Sequence, residues 1–279
     1  MNDETTKALD RLLRELEAKL GADGLALMGP IQAGAEHKVR NALEAIPGRR
    51  KKLAVILNTG GGLVEVTERM VNVIRHFYEE VVFIVPDVAL SAGTIFVMSG
   101  DEIMMDYYSC LGPIDPQVER DGKLVPALSY LIQYDRLIQK AAAGTLTNAE
   151  FAILTKHDLA ELHQFEMARD LSISLLRKWL ATYKFKDWHT STTRNRAITQ
   201  EDRENRAEEI ANKLMESERW GSHGRGIPMK VLREELKLKI DDFGADPDLA
   251  GLVRRYFDLT IDLMVRNNIP HLAHTRGYL

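Results

Sequence analysis

The fold is decided by the stretch Leu53-Ala54-Val55-Ile56-Leu57-Asn58-Thr59-Gly60-Gly61-Gly62. Its first five residues are a continuous apolar run, which is typical of a strand buried on both faces of a parallel sheet. The three glycines permit positive φ and leave their backbone amides unshielded by side chains. The stretch therefore predicts a buried strand that ends in a tight turn, where N–H groups can approach a bound molecule closely.

The residues that follow repeat the alternation of helix and strand. Apolar side chains at helical spacing predict a helix over 64–77, and the apolar run 81–85 predicts a second buried strand. A second helix is predicted over 92–98 and a third strand over 102–105. Strands and helices that alternate with short connections indicate a parallel sheet with right-handed crossovers, so the predicted fold class is α/β.

The flanking regions have helical spacing of apolar residues. Thr147 and Thr199 each stand three residues before a carboxylate, which is the pattern of a capping box at a helix start. A polar loop is expected over 184–198. The predicted flanking helices span residues 4–20, 126–143, 147–182 and 199–216.

Composition excludes several classes of protein. The 279 residues are 45% hydrophobic and 28% charged, as in an ordinary globular protein, and the net charge of -4 gives no reason to expect nucleic-acid binding. Cys110 is the single cysteine, so no intrachain disulfide can form. No signal peptide and no stretch of about 20 apolar residues is found, and we therefore expect a cytoplasmic protein without a membrane span.

A candidate nucleophile lies in the run Ala89-Leu90-Ser91-Ala92-Gly93-Thr94, which follows the second predicted strand. Ligands bind beyond the carboxyl ends of parallel strands, so this turn and the glycine turn face the same edge. Ser91 has two interpretations: a helix N-cap, or a nucleophile with an exposed hydroxyl beside amide donors. The neighbouring glycine turn favours the nucleophile, and a phosphate-binding loop is disfavoured because no lysine follows the glycines.

Four runs together resemble the serine dehydrogenase proteinase family, which is related to signal peptide peptidase A and to the proteolytic subunit of Clp. The runs are Leu57-Asn58-Thr59-Gly60-Gly61-Gly62, Ala89-Leu90-Ser91-Ala92-Gly93-Thr94, Asp101-Glu102-Ile103-Met104-Met105 and Leu111-Gly112-Pro113-Ile114-Asp115-Pro116-Gln117. The resemblance is dense over residues 50–120. It is looser at Tyr134-Asp135-Arg136 and at Trp220-Gly221-Ser222-His223-Gly224-Arg225-Gly226.

The resemblance implies a ClpP/crotonase-like spiral of parallel βαβ units with a helical C-terminal region. The implied domains are an amphipathic N-terminal helix over 1–22, a catalytic domain over 23–183, and a region over 184–279 that forms a lid or serves assembly. It also implies a serine peptidase that acts on peptides or proteins and needs neither metal nor cofactor. Its partners would be further copies of the chain and, if an unfoldase or regulator is required, a separate protein.

The resemblance further implies Ser91 as nucleophile, with the amides of Gly61, Gly62 and Ala92 forming an oxyanion hole. The general base is harder to assign, because no histidine lies between His76 and His157, where a Clp-type enzyme has one. A Ser-Lys dyad is the better match, since burial can lower the pKa of a lysine toward neutrality. The candidate residues for this role are Lys140, with Asp115 orienting the base or capping the turn, His223 as a reserve, and Lys123, Lys156 and His157 as weaker candidates.

Two other functions stay open on the sequence. A crotonase-like acyl-CoA enzyme would use the same fold without a nucleophilic serine, and the run Ser91-Ala92-Gly93-Thr94 disfavours it. A catalytically silent relative would keep the fold as an assembly or adaptor module, and the unassigned base favours it.

Overall fold

The computed structural model of the chain describes residues 3–115, 117–120, 123–191, 196–222 and 224–279. Within them the strands are β1 (Asp23–Met28), β2 (Lys52–Asn58), β3 (Glu80–Ile84), β4 (Val88–Ala89), β5 (Glu102–Met105), β6 (Cys110–Leu111), β7 (Gln117–Arg120), β8 (Lys123–Pro126), β9 (Thr190–Ser191), β10 (Arg196–Ala197), β11 (Ile227–Pro228), β12 (Asp241–Asp242) and β13 (Leu272–His274).

The α-helices of the same residues are α1 (Asp3–Leu20), α2 (Ala35–Glu44), α3 (Val64–Phe77), α4 (Ala92–Val97), α5 (Ala127–Ala142), α6 (Asn148–Leu154), α7 (Leu159–Trp179), α8 (Gln200–Met215), α9 (Ser217–Trp220), α10 (Met229–Glu234) and α11 (Pro247–Arg266). A π-helical turn (Leu180–Lys184) continues α7, and a 3-10 turn (Phe243–Ala245) precedes α11.

The centre of the molecule is a six-stranded sheet in the order β12-β5-β3-β2-β1-β13. The strands β12, β5, β3, β2 and β1 run parallel, and β13 pairs antiparallel with the outer side of β1. The predicted α/β fold with a parallel sheet is confirmed. Helices connect β1 to β2 and β2 to β3, as parallel neighbours require.

Successive residues of β2 supply the two cores on opposite faces of the sheet. Leu53, Val55 and Leu57 face α2, α3 and α4, with α7 and α8 packed further out. Ala54 and Ile56 face α1 and α11. This alternation follows from the two-residue period of a strand, and it explains why the whole run 53–57 is apolar.

A second, three-stranded sheet of order β11-β6-β4 stands at the carboxyl ends of the central strands. It is joined to the central sheet by a parallel bridge between Thr59 and Ala89, in which the Thr59 N–H donates to the Val88 carbonyl at 2.9 Å. The small sheet therefore fixes the position of the turn that follows β4.

The helical regions differ from the sequence prediction at one point. Both predicted capping boxes are confirmed, at Thr147 with Glu150 and at Thr199 with Asp202. The single helix predicted over 147–182 is wrong, because α6 ends at Leu154 and α7 begins at Leu159. The carboxylate of Asp158 accepts the Ala160 N–H at 2.8 Å and starts a new helix, which the apolar spacing alone does not reveal.

Residues 184–279 contribute strands as well as helices. β12 and β13 both lie in this region and form the two outer strands of the central sheet, and α11 packs against α1. The three predicted domain boundaries stay a prediction. No helix in the described part of the chain has both the length and the apolar character needed to cross a lipid bilayer.

A buried charge network ties the C-terminal residues to β1. Arg276 contacts the carboxylates of Glu17 and Asp23, each at 2.7 Å, and both carboxylates are almost completely buried. The Tyr78 hydroxyl donates to Asp23 at 3.0 Å. Because a buried carboxylate without a partner is costly, Arg276 is needed to balance the two negative charges.

Replacement of Arg276 by methionine is expected to lower the free energy of unfolding by about 3–5 kcal/mol, since it leaves Glu17 and Asp23 without their guanidinium partner. Urea unfolding followed by circular dichroism measures the change. Arg266→Met is the control, because Arg266 pairs with Asp262 at the surface and its loss should cost about 0.5 kcal/mol or less. Equal losses in the two variants would contradict the role given to Arg276.

Candidate active site

Ser91 stands in the turn between β4 and α4 in a backbone conformation that serine rarely adopts. Its φ is 52° and its ψ is -118°. It occupies the N-cap position of α4, yet its side chain makes no capping hydrogen bond. The interpretation of Ser91 as a helix-capping serine is therefore wrong. Non-glycine residues held at positive φ cost free energy and are concentrated at functional sites.

The hydroxyl of Ser91 is buried. The residue is 2% exposed, and its Oγ donates to the backbone carbonyl of Asp115 at 3.2 Å. The expectation of an exposed hydroxyl is wrong, because residues 112–115 lie over the serine turn: a Cβ on Gly112 would be 3.1 Å from the Leu90 Cα. A ligand reaches Ser91 only if this contact opens.

Gly61 is the closest neighbour of Ser91 on the preceding turn. A Cβ at Gly61 would stand 2.7 Å from the Leu90 carbonyl oxygen and 2.9 Å from the Ser91 Cβ. Its φ of 101° also lies in the region that favours glycine. The glycine is therefore required twice, by its conformation and by the space that Ser91 occupies.

Gly62 forms an edge beside this contact. It makes a parallel bridge with Ile31, in which Ile31 N–H donates to the Gly61 carbonyl and Leu63 N–H donates to the Ile31 carbonyl, both at 2.8 Å. In such a bridge the N–H and C=O of the bridged residue point away from its partner. The Gly62 amide is therefore directed away from Ile31, and it has no acceptor among the described residues.

The three amides predicted as oxyanion donors differ in whether they already have a hydrogen-bond acceptor. Gly61 N–H donates to the Thr59 hydroxyl at 3.0 Å and is already used. The amides of Gly62 and Ala92 have no hydrogen-bond acceptor in the part of the chain that the structure describes. Ala92 follows Ser91 in sequence, and Gly62 follows Gly61, whose Cβ position would lie 2.9 Å from the Ser91 Cβ. These two N–H groups are the ones available to a bound oxygen.

Thr94 holds the serine turn against the turn that covers it. Its hydroxyl lies 2.8 Å from the Ala89 carbonyl and 2.9 Å from the Gly112 carbonyl, and it accepts the Gly112 N–H at 3.0 Å. Thr59 and Thr94 are the residues of this site that the sequence analysis missed. Their presence within the two glycine-containing motifs was the available signal.

Asp115 is placed at the site by its backbone, while its carboxylate serves a helix. One carboxylate oxygen accepts the Leu128 N–H at 3.1 Å, in the first turn of α5, and the residue is buried. The structure therefore brings Asp115 to Ser91, although the atom that faces the hydroxyl is the carbonyl oxygen.

Lys140 is not brought to Ser91 within one chain. It lies twelve residues beyond Leu128 on α5, which corresponds to about 18 Å along the helix. Its side chain is exposed and pairs with Glu150, whose pKa the bond to Lys140 lowers to about 2.

Lys156 and His157 form no hydrogen bond with Ser91. Lys156 is exposed, and the His157 ring packs edge-on against Tyr134. His223 and the side chain of Lys123 lie outside the described residues. Among the described residues, the Asp115 carbonyl is the one hydrogen-bond partner of Ser91 Oγ.

The comparison with protein families identifies the class of this chain. Residues 13–178 match the model of the ClpP-like SDH-type serine proteinases, which is more than half of the chain. The chain belongs to this family. The match includes the glycine turn after β2, the serine turn after β4 and residues 112–115, which cover Ser91.

Individual relatives are more distant. Two uncharacterized proteins of Methanocaldococcus jannaschii are 29% identical over 118 residues and 30% identical over 102 residues. These alignments cover 42% and 37% of this chain, and they span only 38% and 35% of the length of those relatives.

Two solved structures are similar to the chain at low identity. Both are variants of a membrane-bound stomatin-specific protease, 1510-N, one with serine replaced by alanine and one with lysine replaced by alanine and a substrate peptide bound. Each has a TM-score of 0.45, with 11% and 12% identity. The alignments cover 77% of this chain in both cases and 76% and 72% of the other chains.

Gly61→Ala is expected to displace the serine turn, because the added methyl group would overlap the Leu90 carbonyl and the Ser91 side chain. We expect a loss of about 1–3 kcal/mol in the free energy of unfolding and a loss of Ser91 reactivity. Denaturant unfolding and labelling by a fluorophosphonate measure the two effects. Gly60→Ala is the matched control, since nothing lies within 4 Å of the added Cβ; a stable, reactive Gly61→Ala would refute the requirement.

Proposed function

We propose that the chain is a cytoplasmic serine peptidase that cleaves peptide bonds through an acyl-enzyme on Ser91. One observation carries the proposal: a serine held at φ 52° makes no capping bond and lies against the glycine turn, and the amides of Gly62 and Ala92 have no acceptor among the described residues. Nucleophile and oxyanion donors at this spacing are what acyl transfer requires.

The reaction begins when the Ser91 hydroxyl leaves the Asp115 carbonyl and attacks the carbonyl carbon of the substrate. The new C–O bond places a negative charge on the substrate oxygen, and the N–H groups of Gly62 and Ala92 are the donors placed to stabilise it. A general base takes the Ser91 proton during the attack and returns it to the amine as the C–N bond breaks. Water then hydrolyses the ester, which releases the new carboxylate and restores the Ser91 hydroxyl. One such donor contributes about 10²–10³ in kcat.

The geometry also favours an extended substrate. The outward C=O of Gly62 can accept a hydrogen bond from the backbone of an added strand, as in other cases of β-strand addition, while its N–H serves the substrate oxygen. Because Ser91 is buried beneath residues 112–115, a folded surface cannot reach it. We propose peptides and unfolded segments as the substrates, which leaves room for a separate unfolding partner.

Ser91→Ala tests the nucleophile. We expect the unmodified protein to react covalently with a fluorophosphonate at Ser91, and the Ala variant to lose both the label and all cleavage of an unfolded protein. Intact-mass spectrometry locates the label. Ser99→Ala is the matched control, because Ser99 ends the same segment and its hydroxyl is bound to the Phe96 carbonyl. Cleavage by the Ala variant would disprove the proposal, and tight acyl-CoA binding without labelling would favour a crotonase-like enzyme.

We further propose that a Ser-Lys pair forms only when two copies of the chain assemble. Within one chain, among the described residues, no lysine contacts Ser91. The helices α5 to α7 expose apolar side chains, and none of the residues of α6 is buried. The exposed residues are Ile138, Phe151, Ile153, Leu159 and Met167. A second copy on this surface would cover these side chains, and each copy would supply its Lys140 to Ser91 of the other.

Mixing variants tests the shared site. Ser91→Ala and Lys140→Met should each be inactive alone, while their equimolar mixture should regain about a quarter of the activity. Half of the dimers would be mixed, and each would hold one complete site. The same mixture with Lys123→Met or His223→Gln tests the other candidates. If a base variant stays inactive in the mixture, its base acts within one chain, and a monomeric mass would also contradict the shared site.

A further inference from the structure

A cleft of about 670 Å³ opens at the edge of the central sheet opposite Ser91. Ser91 follows the carboxyl ends of the parallel strands, whereas this cleft lies at the amino ends of β3, β5 and β12. The π-helical turn Leu180–Lys184 leads directly into it. Such turns occur frequently at functional sites, and the volume is that of an ordinary ligand pocket.

Lysine side chains line the cleft. Lys184, Lys237 and Lys239 form no ion pair within the described residues, and Lys184 donates to the Asp101 carbonyl at 3.3 Å. Lys184 is only partly exposed. Burial lowers the pKa of Lys184 to about 8, and the nearby carboxylates of Asp241, Glu102 and Asp101 oppose this shift only in part.

Two carboxylates that line the cleft are also without an ion pair in the described part of the chain. Glu80 begins β3 and Asp241 begins β12, and neither pairs with a cation among the described residues. Their neighbours are different, since Asp101 pairs with Arg75 and Glu102 pairs with Lys52. The cleft therefore contains lysines and carboxylates that form no ion pair within the described residues, and Asp241 lies within electrostatic range of Lys184.

Aromatic rings line the same cleft as these lysines and carboxylates. Phe185 and Trp188 contact each other edge to face, with their centroids 6.0 Å apart, and both are partly exposed to the cleft. An apolar side chain of a ligand can pack on these rings while its charged ends reach the lysines and carboxylates. A simple anion would satisfy the lysines alone, and a simple cation the carboxylates alone.

We propose that this cleft binds short peptides with free ends, the carboxylate on Lys184, the ammonium on Asp241 or Glu80, and an apolar side chain against Trp188. A di- or tripeptide fits the volume and has both charges. Such peptides are also what a peptidase releases, so the cleft would sense product at a distance from Ser91. The binding itself does not depend on Ser91 chemistry.

Calorimetry with the tripeptide Ala-Phe-Ala and the Ser91→Ala protein tests the proposal, because this variant cannot consume a peptide. We expect saturable binding, and about a 10- to 100-fold weaker Kd in Lys184→Met, which removes a charged hydrogen bond to the ligand but keeps the apolar stem. Lys239→Met, with an exposed side chain, should weaken binding without affecting folding. Lys178→Met is the matched control, since Lys178 is exposed on α7 and outside the cleft.

A blocked peptide decides the ligand class. N-acetyl-Ala-Phe-Ala-amide lacks both charged ends, and we expect it to show no saturable binding. Equal binding of the blocked peptide, competition by benzoate as strong as by the free peptide, or an unchanged Kd in both Lys184→Met and Lys239→Met would each overturn the proposal. Binding that survives with Ser91 inactive also separates this cleft from the proposed peptidase site.

Discussion

The close approach of Gly61 to Ser91 is the constraint on which the rest of the site depends. With the two Cβ positions only 2.9 Å apart, the turn after β2 and the turn after β4 must each be built to admit the other. The Thr59–Ala89 bridge fixes the position of one turn relative to the other. The Thr94 hydroxyl holds the serine turn to the backbone of Gly112. Such bonds on both sides are what hold Ser91 at φ 52°, since a serine in a free loop would relax to a cheaper conformation.

In the proposed mechanism, this arrangement keeps Ser91 inactive until residues 112–115 move. The hydroxyl is bonded to a carbonyl, which accepts a hydrogen bond but cannot take the proton away. The amides of Gly62 and Ala92 have no acceptor among the described residues, so in the proposed mechanism the oxyanion donors are in place before substrate arrives, while Ser91 still has to move. Activation then requires a change at residues 112–115 and a base, and both can accompany assembly or substrate entry.

Local signals in the sequence predicted much of this, and non-local pairings account for what was missed. The apolar runs of β2 and β3, the glycine turn and the capping boxes at Thr147 and Thr199 are each encoded within a few residues. β4, β6 and β11 have two residues each, too few to show a period, and they exist because they pair with one another. The cover over Ser91 and the separation of Lys140 depend on how α5 leaves the site, which no spacing records.

The pairing of β13 with β1 has a consequence for synthesis. β1 ends at Met28 and its partner begins at Leu272, so about 240 residues separate the two strands. At about 5–20 residues per second, the ribosome leaves that side of β1 unpaired for roughly 12–50 s. An open edge with apolar faces is a template for aggregation, so the nascent chain is exposed to edge-to-edge pairing until residues 272–276 emerge and Arg276 meets its carboxylates.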